Sequence, residues 1–162
     1  MNKIIWITGI SGVGKTSLAK YYLKYLNNYI WIDGDKFRSL FNNDIKYSLR
    51  ERNINAERLI NFVDFLNKQK FNLIISANLT SDKYKKKIKT FNKLYNIQIE
   101  TDMKILKRRD KKLIYKKNKN VVGKDIKISK NYKYSDYLIL NNSSKKEFFY
   151  KGLSILKDIK KK

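Results

Sequence analysis

The sequence contains no cysteine, no histidine and no proline among its 162 residues. The absence of cysteine and histidine excludes a disulfide framework, thiolate or imidazole metal sites, a Ser-His-Asp triad and a cysteine nucleophile. Any chemistry must therefore use carboxylates, lysine, arginine, hydroxyl groups, backbone N–H groups or a hard metal ion. The length fits one domain with a hydrophobic core, and 42% hydrophobic residues is not the composition of a disordered chain.

Acidic residues are also scarce: 14 Asp and Glu stand against 38 Lys and Arg, a formal net charge of +24. A strongly basic domain can bind nucleic acid by releasing counterions from the phosphate backbone. However, only six of the cations are arginine, and enrichment in Lys, Ile and Asn, which have AT-rich codons, is typical of an AT-rich genome. We therefore expect an anionic small molecule and no nucleic acid as the partner. A polyanion-binding module is the alternative.

Long apolar runs are missing. The opening run, residues 4–7, stops just before Gly9 and is too short for a membrane span or for the apolar region of a signal peptide. We therefore expect a cytoplasmic protein without a membrane partner.

Short apolar runs alternate with helical patterns along the chain. The runs predict strands at residues 3–8, 29–32, 73–77, 97–99 and 137–140. The periodic segments predict helices at residues 15–26, 56–68, 82–94, 103–109 and 144–157. Strands separated by helices form parallel βαβ units, so we expect one α/β domain, residues 1–162, with three layers and a five-stranded, mainly parallel sheet. Residues 111–117 are interpreted as a basic lid, and residues 118–134 as a mobile polar loop.

The sharpest signal is the segment 9–16, which reads GISGVGKT. It matches the phosphate-binding loop pattern G-x-x-x-x-G-K-[ST], and it lies between a predicted strand and a predicted helix. Backbone N–H groups of such a loop face phosphate oxygens at the helix N-terminus. The motif predicts a nucleoside triphosphate site in which Lys15 reaches the β- and γ-phosphates and the Thr16 hydroxyl binds Mg²⁺. Its predicted nucleotide-binding residues are Gly9, Ser11, Gly12, Val13, Gly14, Lys15, Thr16 and Ser17.

A second polar element follows the second predicted strand. Asp33 and Asp35 flank Gly34 where open α/β sheets place their ligands, at the carboxyl edge beside the phosphate loop. With Arg38 three residues further on, a carboxylate and a guanidinium could face one acceptor. Such a pair suits a substrate with a hydroxyl to be oriented and a phosphate or sulfate to be bound. An ordinary Asp-Gly-Asp turn is the alternative.

These motifs resemble those of a known family, the adenylylsulfate (APS) kinases, almost from end to end of the chain. Four of the six arginines occupy positions of the family's motifs. The matching segments are 7–12 (ITGISG), 33–38 (DGDKFR), Arg52-x-x-Asn55-x-x-Arg58, Leu79-Thr80, 109–115 (RDKKLIY) and 123–125 (GKD). The resemblance implies a P-loop NTPase fold of the nucleotide-kinase type, with ATP and Mg²⁺ as cofactors and a homodimer as the assembly.

The resemblance also implies an activity, namely transfer of the ATP γ-phosphoryl group to the ribose 3′-hydroxyl of a nucleotide that carries a 5′-linked mixed anhydride. Asp35 would hold the acceptor hydroxyl, Lys112 would reach the transferring phosphoryl group from the lid, and Arg109 would lie over the ATP base. Catalysis is thus assigned to Lys15, Asp35 and Lys112. Binding of the acceptor is assigned to Asp35, Arg38, Tyr47, Arg52, Asn55, Arg58, Leu79, Thr80 and Val121, with Tyr47 where the family usually has a phenylalanine that packs on the substrate base.

The sequence also departs from the family pattern, and one departure bears on the acceptor's base. Thr80 replaces a serine, Leu113 replaces a glycine, and Val121 replaces the aromatic residue that closes over adenine. Stacking on one side of the base, worth roughly 1–3 kcal/mol, is thereby lost. A smaller base such as cytosine could occupy the same place, so adenylyl sulfate and cytidine diphosphoramidate, an intermediate of capsule phosphoramidate synthesis, both remain open. A kinase of a non-nucleotide hydroxyl is the alternative enzyme.

Overall fold

A computed structural model describes residues 2–41, 44–110, 115, 119, 121–126 and 132–162. Its strands are β1 (Ile4–Thr8), β2 (Tyr29–Asp33), β3 (Asn72–Ser76), β4 (Leu94–Glu100) and β5 (Tyr137–Leu140). They form one sheet in the order β2-β3-β1-β4-β5, and every neighbouring pair is parallel. The predicted parallel five-stranded sheet is confirmed.

The helices in the described part of the chain cover both faces of the sheet. They are α1 (Lys15–Tyr22), α2 (Gly34–Ser39), α3 (Leu49–Lys68), α4 (Asp82–Ile88), α5 (Met103–Arg109) and α6 (Lys145–Lys161), with a short 3₁₀ turn at Tyr132–Tyr134. Among these described segments, no helix is long and apolar enough to cross a membrane.

Strand β1 divides the core because successive side chains of a strand point to opposite faces. Ile5 and Ile7 belong to one apolar cluster, which includes Leu18 and Tyr22 of α1. Ile4 and Trp6 belong to the other cluster, with residues of α3 and α4. Because both faces of β1 are fully buried, the predicted three-layer arrangement is confirmed.

The bounds of several elements differ from the prediction. For α2 and α3, the reason is a capping contact that decides where the helix begins. Helix α3 begins at Leu49, seven residues before the predicted start, because Ser48 and Glu51 form a reciprocal capping box. Helix α2 was missed: the Asp33 carboxylate caps it by accepting from the N–H groups of Asp35 and Lys36. Helices α1 and α4 are shorter than predicted, and β4 begins three residues earlier.

Candidate active site

A cleft of about 780 Å³ lies at the carboxyl edge of the sheet, as predicted for the ligand site of an open α/β sheet. It brings together most of the predicted site residues from the phosphate loop, α2, α3 and the segment after β3. The predicted residues that line it are Ser11, Gly12, Gly14, Lys15, Thr16, Ser17, Asp35, Arg38, Tyr47, Arg52, Asn55, Leu79, Arg109 and Val121. Gly9, Val13, Arg58 and Thr80 are not among its lining residues.

Gly9 and Val13 support the phosphate loop from beneath. Gly9 has φ +144°, and a Cβ atom there would lie 2.5 Å from the Ile99 carbonyl oxygen, so only glycine lets the loop leave β1 this close to β4. Val13 is fully buried, and its carbonyl accepts a 2.8 Å hydrogen bond from the side chain of Asn141 after β5. The loop therefore leaves β1 in close contact with β4 and is hydrogen-bonded to the residue that follows β5.

Lys15 stands at the first position of α1, where the phosphate-loop motif places its lysine. Its Nζ donates a 2.9 Å hydrogen bond to the carbonyl of Ile10 within the loop. Burial lowers the pKa of Lys15 to about 8, although the carboxylates of Asp35 and Asp33 act in the opposite direction. The lysine therefore sits in a site that favours an additional negative charge, such as a phosphate.

Asp33 connects the ends of three elements. Its Oδ2 accepts from the hydroxyls of Thr16 (2.9 Å) and Ser76 (3.0 Å), and its Oδ1 accepts from the N–H groups that begin α2. Burial alone would raise the pKa of Asp33, but hydrogen bonds from Thr16, from the Lys36 N–H and from Ser76 lower it below its usual value. The carboxylate is therefore ionised at neutral pH beside the predicted Mg²⁺ ligand.

Asp35 is exposed in the first turn of α2 and lines the cleft. The turn is placed by Gly34, because a Cβ atom at Gly34 would lie only 2.7 Å from the Cβ of Ala77 at the end of β3. This close approach leaves the Asp35 carboxylate at the same edge of the sheet as Lys15. The predicted Asp-Gly-Asp turn is thus the beginning of a helix that holds one aspartate in a network and directs the other to the cleft.

Two guanidinium groups lie at the side of the cleft formed by α2 and α3. Arg38 is buried, with 7% of its surface exposed, and Arg52 is on the first turn of α3. Both guanidinium carbons lie over the ring of Tyr47, 4.6 Å and 5.3 Å from its centroid. The tyrosine predicted to pack on a substrate base therefore contacts two cations.

The R-x-x-N-x-x-R segment lies within α3, although the sequence predicted that the helix begins only at residue 56. Successive residues of an α-helix are rotated by about 100°, so Arg58 points about 120° away from Arg52. Arg52 and Asn55 line the cleft, whereas Arg58 forms a 2.7 Å ion pair with Asp44 and lies over the ring of Phe41. The structure thus separates Arg58 from the other predicted acceptor-binding residues.

Arg109 ends α5 on the opposite side of the cleft from α3. It donates to the carbonyl groups of Asn141 (3.0 Å) and Ser143 (2.9 Å), just after β5. Val121, which is 5% exposed, opens a tight turn that is closed by the Asp125 carboxylate, which accepts from the Val121 N–H at 2.9 Å. Lys112 lies outside the described residues, so its role stays a prediction.

Two residues that contact the phosphate loop were not predicted from the sequence. Asn141 links Val13 to Arg109, and Tyr115 donates a 2.7 Å hydrogen bond to the carbonyl of Ser11. Tyr115 carried a signal, because it is the last residue of the RDKKLIY segment. For Asn141 the sequence signal was weaker, namely its position directly after the last predicted strand.

The parallel sheet, the phosphate loop at its carboxyl edge and the facing carboxylate and guanidinium groups define a class of protein. This is a kinase with the P-loop NTPase fold, in which one cleft can hold a triphosphate and an anionic acceptor.

Comparison with known proteins identifies the family. A family model described as adenylylsulphate kinase matches residues 1–135. A cytidine diphosphoramidate kinase of Campylobacter jejuni is 35% identical over 96% of this chain and 95% of its own length. An adenylyl-sulfate kinase of Bacillus velezensis is 31% identical over 74% of this chain, but that match covers only 64% of the Bacillus protein. This chain belongs to the adenylylsulphate kinase family, so the resemblance inferred from its motifs is confirmed, as is the prediction that it is a kinase.

A solved structure agrees with the fold. The Mycobacterium tuberculosis APS kinase, determined in complex with AMPPNP and APS, superposes with a TM-score of 0.82 over 99% of this chain and 98% of its own. Because the two sequences are only 22% identical, this similarity concerns the fold alone.

Proposed function

We propose that the protein transfers the γ-phosphoryl group of ATP to the ribose 3′-hydroxyl of cytidine diphosphoramidate, with adenylyl sulfate as the second candidate acceptor. One observation carries the proposal: the phosphate loop, the Asp35 carboxylate and the Arg38–Arg52 pair line a single cleft. The similarity to a cytidine diphosphoramidate kinase over 96% of the chain supports cytidine, as does the small side chain at Val121. The product would then serve capsule phosphoramidate synthesis, and the availability of ATP and nucleotides favours a cytoplasmic location.

In this proposal, the residues at one end of the cleft bind ATP and those at the other end bind the acceptor. The phosphate loop and Lys15 hold the triphosphate of ATP, and Arg109 borders its base. Asp35 holds the acceptor hydroxyl and can take its proton, while Arg38, Arg52 and Asn55 bind the anionic bridge of the acceptor. Phosphoryl transfer of this kind depends mainly on positioning and on neutralising charge, so no strong base is needed.

The residues present fit a magnesium ion. Mg²⁺ is usually bound through one or two side chains together with substrate phosphates and water. The Thr16 hydroxyl and the ionised Asp33 carboxylate, 2.9 Å apart at the phosphate loop, provide such a partial set. In the described part of the chain, no group of three or more acidic residues forms a closed metal site. Mg²⁺, when bound with ATP, would neutralise phosphate charge during transfer.

The proposed function is tested by measuring ATP consumption with a panel of acceptors. The panel contains cytidine diphosphoramidate, adenylyl sulfate, free nucleosides and a sugar acid. We expect turnover with a nucleotide anhydride, and no turnover on either anhydride would refute the proposal. Turnover that is insensitive to salt, with no retention on heparin or RNA near physiological salt, would exclude the polyanion-binding alternative.

ATP affinity is expected to fall above pH 8 because Lys15 loses its proton there. The pKa of Lys15 is about 8 in the free protein, and phosphates raise it by stabilising the ammonium form. Binding above pH 8 must therefore take up a proton, so the Kd should rise by up to about tenfold per pH unit. Calorimetry at pH 7, 8 and 9, in buffers of different ionisation enthalpy, measures the Kd for ATP and the number of protons taken up on binding. Lys15→Arg is the control, since arginine stays charged; an equal pH dependence in both proteins would contradict the assignment to Lys15.

Replacement of Val121 by phenylalanine is expected to shift base preference toward adenine. Val121 is buried at the cleft, so an aromatic ring there could restore stacking worth roughly 1–3 kcal/mol, a change of about 5- to 150-fold. The measurement is the ratio of kcat/KM for adenylyl sulfate and cytidine diphosphoramidate. Val121→Leu adds volume without a π-face and serves as the matched control. An unaltered ratio of kcat/KM in Val121→Phe would show that this position does not contribute to selectivity for the base.

We further propose that the chain forms a homodimer, as the family resemblance implies. Phe62 and Phe65 of α3 are 39% and 57% exposed. Residues 44–68 carry four acidic and five basic side chains, a net charge of +1 in a chain of +24. A second copy could therefore approach the surface around Phe62 and Phe65 with little electrostatic repulsion. Sedimentation equilibrium would detect the dimer.

A further inference from the structure

Asn141 is a buried polar residue directly after β5, with 8% of its surface exposed. Its Nδ2 donates a 2.8 Å hydrogen bond to the carbonyl of Val13 in the phosphate loop, 128 positions away in the sequence. Its backbone N–H donates to the carbonyl of Glu100, the last residue of β4, at 2.7 Å. Asn141 is therefore fixed to the sheet through its backbone and to the loop through its side chain.

The two ends of the Asn141 amide face groups of opposite character. The amide nitrogen contacts the Val13 carbonyl, whereas the amide oxygen lies 3.4 Å from an NH group of Arg109. The opposite orientation of the amide would place oxygen against the carbonyl and the NH₂ group against the guanidinium. The neighbours of Asn141 thus select the orientation in which it donates to the phosphate loop.

The hydrogen bond to Val13 determines the orientation of the peptide unit between Val13 and Gly14. In a trans peptide, the C=O group and the following N–H group point in opposite directions. Val13 is fully buried and is not among the residues that line the cleft, whereas Gly14 is. Because Asn141 holds the carbonyl from the buried side, the Gly14 N–H points toward the cleft at the N-terminus of α1.

Gly14 requires such a constraint because glycine adopts many backbone conformations. Its φ is +109°, and a Cβ atom there would lie 3.2 Å from the Asn141 Nδ2 and 3.0 Å from a ring atom of Phe148. Glycine therefore lets Asn141 approach this closely. It also leaves the peptide free to rotate when the hydrogen bond is absent.

Two other carbonyl groups of the loop also accept from side chains. The carbonyl of Ile10 accepts from the Lys15 Nζ at 2.9 Å, and that of Ser11 accepts from the Tyr115 hydroxyl at 2.7 Å. Burial raises the pKa of Tyr115 to about 12, so its hydroxyl keeps the proton that it donates. Carbonyl groups of the loop thus face protein donors, which leaves N–H groups of the loop available for an anion.

We propose that Asn141 is a positioning residue for ATP, whose side-chain amide turns the peptide between Val13 and Gly14 so that the Gly14 N–H faces the phosphates. This inference rests on the proposed function, because it assumes that ATP occupies the phosphate loop. Residue 141 lies outside all the motif segments of the sequence. Loss of its donor should weaken binding of a triphosphate whether or not the triphosphate carries a base.

Competition between AMPPNP and inorganic tripolyphosphate tests the proposal. Calorimetry at a fixed Mg²⁺ concentration measures the Kd of AMPPNP, and displacement of AMPPNP gives the Kd of tripolyphosphate. Tripolyphosphate bound elsewhere on this basic protein is then not counted. Asn141→Leu removes the donor at similar side-chain volume, and we expect it to weaken both ligands by a similar factor, on the order of tenfold. In turnover, Asn141→Leu should raise KM for ATP and leave KM for the acceptor unchanged.

Asn142 provides the matched control. Its side chain forms hydrogen bonds of 2.9 and 3.0 Å with Asp102, directly before α5, and not with the phosphate loop. Asn142→Leu should leave both Kd values within about twofold. Asn141→Asp is a second variant, which keeps the shape of the side chain and an acceptor for Arg109 but has no donor for Val13. It should weaken tripolyphosphate more than Asn142→Asp, which adds the same charge one residue further on.

Three results would overturn the proposal. If Asn141→Leu weakens AMPPNP but not tripolyphosphate, Asn141 acts through Arg109 and the base. If Asn141→Leu lowers the melting temperature but changes neither affinity, Asn141 only stabilises the fold. If tripolyphosphate does not displace AMPPNP from the unaltered protein, the loop does not hold the phosphate chain by itself. The proposed function fails separately, through absence of turnover in the acceptor panel, which leaves the binding of AMPPNP and tripolyphosphate unaffected.

Discussion

Replacement of Asp35 by asparagine is expected to lower kcat by about 10²- to 10⁴-fold while ATP binding is retained. Asp35 lines the cleft in the first turn of α2, and its own N–H donates to the Asp33 Oδ1 at 3.1 Å. Asp35 joins the network of Asp33, Thr16 and Ser76 through its backbone N–H, so replacement of its side chain leaves those hydrogen bonds in place. Asparagine keeps the shape of Asp35 but removes the charge that would orient the acceptor hydroxyl and receive its proton. Steady-state turnover measures kcat, and calorimetry measures ATP binding.

The control for this change is Asp64→Asn. Asp64 forms an ion pair with Lys68 on the surface of α3, so its replacement alters the net charge equally but leaves the cleft intact. We expect its kcat to stay within about twofold, because surface ion pairs contribute little. A kcat that is unchanged in Asp35→Asn would mean that another group orients the hydroxyl.

The five-stranded parallel sheet was predictable from the sequence because short apolar runs alternate with helical patterns along the chain. The start of α3 was predicted wrongly and α2 was not predicted at all, although each of these helices begins with a side chain that caps it. Ser48-x-x-Glu51 has the capping-box pattern, and Asp33 is a frequent N-cap residue type. Applied to these positions, the capping rules would have placed Arg52 and Asn55 on a helix and indicated that Arg58 points elsewhere.

The phosphate loop was predictable because its residues are adjacent in the sequence and its backbone makes the site. The rest of the site depends on contacts between distant segments. The hydrogen bond from Asn141 to Val13 joins residues 128 positions apart, and that from Ser76 to Asp33 joins residues 43 apart. The two cations over Tyr47 likewise come from different helices. No local pattern encodes such contacts, so the sequence indicated the chemical groups without their mutual arrangement.

Replacement of Arg52 by alanine is expected to raise KM for the acceptor by about 10- to 150-fold, with ATP affinity unchanged. Hydrogen bonds to charged groups contribute about 1.5–3 kcal/mol, and Arg52 would make such bonds to the acceptor's anhydride. Its own side chain is held by the Tyr47 carbonyl and ring, so it is preorganised before the acceptor binds. Steady-state kinetics with the acceptor varied at saturating ATP provides KM, and calorimetry provides the ATP affinity.

Arg58→Ala is the matched control on the same helix. It removes the same type of side chain about two and a half turns after the helix start, but Arg58 is paired with Asp44 and is not among the residues that line the cleft. The rotation of about 120° between the two positions predicts that KM changes by no more than about twofold in Arg58→Ala. Equal losses in both variants would mean that general positive charge, which this chain carries in excess, attracts the acceptor. A large loss in Arg52→Ala alone would show that the acceptor is recognised by one face of α3, and that the position of a cation in this protein matters more than the number of cations.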